Sequence, residues 1–153
     1  MGDSVPPVTP PPFETAPSSD ADALRTAGRW LLAAFLAVAG IGHFIAASEF
    51  LAQVPPWMPA PRAVVAVSGA VELLLAGALV ALPKHRAAVG WVVAIFFVAV
   101  LPGHISQLLT HTDAFGLDSD LTRAVRLLFQ PVFVVWALWS TGAWMAWRRR
   151  RDR

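Results

Sequence analysis

Four stretches of this chain are almost continuously apolar, and polar segments separate them. They run over about 28–47, 63–82, 87–109 and 123–147. About twenty apolar residues in a helix rising ~1.5 Å per residue match a hydrocarbon core ~30 Å thick. The pattern therefore predicts an all-α integral membrane four-helix bundle over 23–153. Between the first two stretches lies SEFLAQVPPWMPAPR, where Pro55, Pro56, Pro59 and Pro61 forbid a continuous helix. Phe50, Leu51, Trp57 and Met58 in that segment suit a loop pressed onto a membrane interface. Pro83-Lys84-His85-Arg86 makes a short charged turn. Pro102 predicts a kink in the third helix. Residues 110–122 form a polar connection carrying Asp113, Asp118 and Asp120.

Inside these runs a few polar residues break the pattern. Glu72 lies in AVVAVSGAVELLLAGALVAL, which has no other charge. A carboxyl group at membrane depth is costly unless it is paired, protonated or beside a wet cavity. His43, His104, Arg126 and Gln130 interrupt the other three helices. Counted by helical rise from the helix ends between spans one and two and between spans three and four, they lie ~6, ~8, ~5 and ~10 Å deep, and Glu72 ~14 Å. All five thus fall in the same half of the membrane, and the other half is Leu, Val, Ala, Phe and Trp. The spacing also gives each helix one polar stripe. Ser68 and Glu72 are four apart, His104 and Gln107 three apart, and Arg123, Arg126 and Gln130 follow at i, i+3, i+7. Gly40, Gly42 and Gly69 beside His43 and Glu72 predict close helix approach. One shared polar cavity opening toward the outer leaflet follows from this asymmetry.

Two readings of the cluster stay open. Glu72 is either a structural carboxylate, paired with Arg126 or bonded to a histidine to set helix register, or an acid that handles a ligand or proton. Likewise, the histidines and Gln130 serve as interhelical hydrogen-bond partners or as ligand contacts. Arg126 either enters the cavity or reaches outward to the interface. His85 and His111 fall in connections. An apolar molecule with carbonyl groups, such as a quinone, suits a cavity of this make-up. Haem held by His43 and His104 is disfavoured because Glu72 and Arg126 compete for both imidazoles. No metal site is assigned.

Composition agrees with the pattern. The chain has 153 residues, of which 56% are hydrophobic and only 14% charged, against roughly 25% charged in soluble domains. No cysteine occurs, which excludes disulfides, thiol catalysis and iron–sulfur ligation. Residues 1–22 are rich in proline and acidic, lack the basic start and apolar stretch of a signal peptide, and are expected to be a disordered tail. Arg25, Arg29, Lys84, Arg86 and the five arginines of 148–153 collect at one end of the bundle. The positive-inside rule predicts that this end, with both termini, is cytoplasmic. Because the basic run directly follows a Trp-rich helix, it reads as a membrane anchor rather than a nucleic-acid contact.

At its polar residues the sequence resembles the DoxX-like family of small bacterial four-helix membrane proteins. The matching text is Ala39-Gly40-Ile41-Gly42-His43-Phe44, then Val54-Pro55-Pro56-Trp57-Met58-Pro59, Ser68-Gly69-Ala70-Val71-Glu72, and Arg126-Leu127-Leu128-Phe129-Gln130-Pro131. Leu128 stands where that family commonly has proline, which shifts the local kink to Pro131. The resemblance implies a bacterial cytoplasmic-membrane protein. It points to an accessory subunit of a membrane redox system, since some relatives are associated with thiosulfate:quinone oxidoreductase and others with redox-stress complexes. Without cysteine, sulfur chemistry would need a partner, so a stand-alone enzyme is not expected. The expected partners are the lipid bilayer and either redox proteins or further copies of the chain. The alternatives are a structural or partner-docking membrane protein with no ligand and, less favoured because no internal repeat is visible, a proton-coupled transporter.

Overall fold

The computed structural model describes residues 19–153. The expectation of a disordered tail therefore falls, for 1–18, outside the described residues. Its boundary moves, because helix α1 (Ser19–Ile45) already includes the last four of those 22 residues. Asp20 and Asp22 stand in its first turn, where carboxylates complement the helix dipole. A five-residue helix α2 (Ala47–Leu51) follows, then the proline-rich loop and α3 (Pro61–Ala81), with Pro61 in its first turn. Pro83–His85 forms a 3-10 turn. The third crossing is broken as Pro102 predicts: α4 (Arg86–Ala99) ends at Val100 and α5 (Leu101–Leu109) restarts with that proline in its first turn. Helix α6 (Asp120–Ser140) begins with a capping box in which the Ser119 and Thr122 side chains bond each other's backbone N–H.

Four helical stretches are long and apolar enough to cross a membrane: Asp20–Ile45, Pro61–Ala81, Pro83–Leu109 and Asp120–Ser140. The described residues contain no strand. The fold is an all-α bundle of a multi-pass membrane protein. Large apolar side chains such as Leu31, Val38, Ile45, Leu74, Ile95, Leu128 and Val135 point outward, as lipid-facing positions do.

The fourth crossing is shorter than the expected 123–147. Helix α6 stops at Ser140, and a separate α7 (Ala143–Arg151) follows. Gly142 takes a left-handed φ of 70° that glycine adopts without strain. The Thr141 hydroxyl donates back to the Ala137 carbonyl at 2.6 Å. Thr141 also seats its side chain over Gly90 of α4, where a Cβ would lie 2.7 Å from Thr141 Cβ. The break thus turns α7 onto α4.

Burial divides the bundle along its length. At the end holding the start of α1 and the end of α6, Leu32, Leu36, Leu75, Leu79, Val89, Val93 and Ala137 pack into a dry core. Lipid tails are as apolar as these side chains, so close packing rather than water exclusion holds this end together. The other end is hollow.

Candidate functional site

A cavity of about 710 Å³ occupies that hollow end, between α1 and α3 on one side and α5 and α6 on the other. His43, Glu72, His104, Arg126 and Gln130 all line it, as does Ser68. Most of the remaining lining is apolar, with Phe35, Phe97, Phe129 and Phe133 toward the dry core.

The α1–α3 wall is built on two glycines. A Cβ at Gly40 would lie 2.9 Å from the Gly69 carbonyl, and one at Gly69 would lie 2.6 Å from His43 Cβ. Only glycine permits this approach, and it sets His43 beside Glu72. His43 Nδ1 lies 3.0 Å from the Ala39 carbonyl and 3.2 Å from Glu72 Oε2. The distance to Glu72 is that of an ion pair, but the ring N–H points at Ala39, so the buried Oε2 accepts no hydrogen bond.

The α5–α6 wall pairs His104 Nδ1 with the Gln130 amide. Whichever way that amide is turned, one of its polar atoms meets the imidazole and the other is buried without a partner. Arg126 Nη1 donates to Gln107 Oε1 at 3.3 Å, and its guanidinium lies 5.3 Å over the Phe115 ring. Arg126 and Glu72 therefore engage different partners rather than each other.

Sequence reasoning missed how the cavity is roofed. Phe50 of α2 stacks on His43 with centroids 3.7 Å apart and meets Phe115 edge-on at 4.8 Å. Phe115 in turn lies under Arg126, so an aromatic chain joins the two walls. Glu49 Oε2 accepts from the Phe115 backbone N–H at 2.6 Å and clips α2 to the 110–119 loop. The loop is held from below by Arg123. Although it shares a stripe with Arg126, it does not line the cavity; it is 4% exposed and pairs with Asp113 and with Asp120 at 2.7 Å. Its Nε and Gln107 Nε2 both donate to the Thr112 carbonyl at 3.3 Å. His111, expected only as a loop residue, bonds Asp120 at 2.8 Å. The three acids of the connection and the aromatic residues of the two loops were the available signal, but nothing in their spacing specifies these partners.

Chemically, the cavity sets an acceptor against a donor. The Glu72 carboxyl group, with the His43 imidazole beside it, stands on the α1–α3 side, and the Arg126 guanidinium stands on the α5–α6 side. Among the described residues, no group of three or more His, Cys, Asp and Glu is placed to hold a metal ion. No curated protein and no solved structure matches the chain. A family model does match residues 32–141, a segment that includes every residue lining the cavity, and on that match the chain belongs to the family described as a domain of unknown function, DUF8561.

Proposed function

We infer that the cavity binds a quinone-like or lipid-like molecule and that the protein serves as an accessory subunit of a membrane redox system rather than a stand-alone enzyme. One observation carries this reading. An apolar cavity of ligand size has unmet polar groups buried in both walls: Glu72 Oε2 on α3 and one amide atom of Gln130 on α6. Each such group costs about 1–3 kcal/mol while unpaired; Glu72 Oε2 accepts, so a ligand head that carries a hydroxyl beside its carbonyl, as a quinone does once reduced, would relieve that cost. The head would lie between Glu72–His43 and His104–Gln130, with its apolar part among Phe97, Phe129 and Phe133. The resemblance of these same segments to the DoxX-like family points the same way; in this reading the protein lies in the cytoplasmic membrane with its arginine-rich end inside.

The test is what travels with the protein. Solvent extraction of the detergent-purified chain should release a quinone detectable by absorbance and mass, and quinone analogues should raise its thermal stability. If no such molecule is released and no analogue shifts the thermal midpoint, this reading fails.

A second reading, in which the cluster only sets helix register, draws on the internal pairing of His104 with Gln130 and of Arg126 with Gln107. It expects Glu72→Gln and His104→Asn to weaken folding but leave assembly with partners intact. Well-folded variants that lose function would count against it.

A further inference from the structure

The opposite end of the bundle holds a second site built on different residues. Arg25 of α1, Arg86 of α4 and Arg149 of α7 line a small pocket of about 90 Å³, with Ser140 and Thr141 at its base. The helix break at Thr141–Gly142 is what folds α7 back to bring Arg149 there. Ser140 is 3% exposed, and its Oγ is buried with no hydrogen-bond partner. Thr141 has already spent its hydroxyl on Ala137. Arg25 is aimed by Met145 Sδ at 3.4 Å and by the exposed Asp22 at 3.5 Å. Arg86 and Arg149 make no ion pair among the described residues. The pocket also borders the first turn of α4, which carries no acidic residue.

The geometry points to a binding site for a phosphate group. Three guanidinium groups and an unmet hydroxyl are the donors that a tetrahedral oxyanion takes up. The pocket is too small for a ring or an acyl chain. Trp144 and Trp147 of α7 lie partly exposed beside it, each under an arginine, Arg148 at 5.4 Å and Arg151 at 5.3 Å. Such indoles favour the headgroup level of a bilayer, so the phosphate of an anionic phospholipid is the source this position favours. This inference is independent of what fills the large cavity.

Native mass spectrometry of the full chain in an uncharged detergent tests it, using phosphatidylglycerol, phosphatidylcholine and inorganic phosphate as probes. Wild type should retain phosphatidylglycerol well above phosphatidylcholine. The double variant Arg86→Gln/Arg149→Gln should lose roughly thirtyfold in apparent affinity. Ser140→Val, which fills the pocket at constant charge, should also lose most of the binding, and it decides the matter if the double variant does not fold. Arg150→Gln/Arg151→Gln removes the same charge outside the pocket and should change little. Retention of inorganic phosphate that the double variant loses, with no preference between the lipids, would keep the site and make free phosphate its ligand. Equal retention of both lipids with no effect of phosphate, or a loss in the tail variant as large as in the pocket variant, would overturn it.

Discussion

At the scale of single residues, two glycines and one carboxylate decide the cavity's shape and chemistry. Gly69 touches His43 so closely that an added methyl group has no room. Gly69→Ala should destabilise the protein by about 2 kcal/mol through overpacking, read as a lower thermal midpoint in detergent. It should also push His43 away from Glu72, so retention of the cavity ligand falls along with the midpoint. Glu72→Gln keeps the volume but removes the charge. If the proposed ligand donates a hydrogen bond to this wall, the variant should remain folded and retain several-fold less of it in the extract. Full retention would assign Glu72 to helix register. The five polar residues were legible because a charge or imidazole in an apolar run stands out. Their partners were not. Glu72 faces His43 because the Gly40–Gly69 approach puts α1 against α3, and no spacing rule distinguishes that from a pairing with Arg126 across the cavity.

Among the elements, the 110–119 loop and α2 act as one roof, joined by Glu49 and Phe115 and anchored by Arg123. Arg123→Gln removes the ion pairs to Asp113 and Asp120 while leaving the four crossings unchanged. Limited proteolysis should then cut within 110–119 faster than in wild type, with the helical circular dichroism signal retained. An unchanged cleavage rate would show that Glu49 and the Ser119–Thr122 cap hold the loop without it. The break between α6 and α7 belongs to the same scale. Gly142→Ala places a side chain at φ 70° and should cost about 1 kcal/mol, again visible in the thermal midpoint. Ser140-Thr141-Gly142 carries the signal for this break, but the surrounding apolar and tryptophan residues read as one continuous helix. Pro102 was easier to read, since a missing N–H interrupts a helix in any setting.

For the molecule as a whole, the division into a dry, arginine-rich end and a hollow end sets how it would sit in a membrane. Because the chain lacks cysteine, single thiols report topology directly. With the basic end cytoplasmic, an impermeant maleimide should label Pro59→Cys on intact cells and Arg151→Cys only after permeabilisation. The reverse pattern would turn the large cavity toward the cytoplasm and refute the proposed orientation.

The amino-acid sequence alone determined the number of crossings, the proline interruptions and the gathering of polar groups toward one end, because hydropathy, missing N–H groups and helical rise are local properties of the chain. Tertiary structure decided which walls face each other, that a cavity rather than packed side chains separates them, how two loops close over it, and that α7 folds back beside α4. These depend on how closely backbones approach and on which distant atoms meet, and a one-dimensional pattern does not encode either.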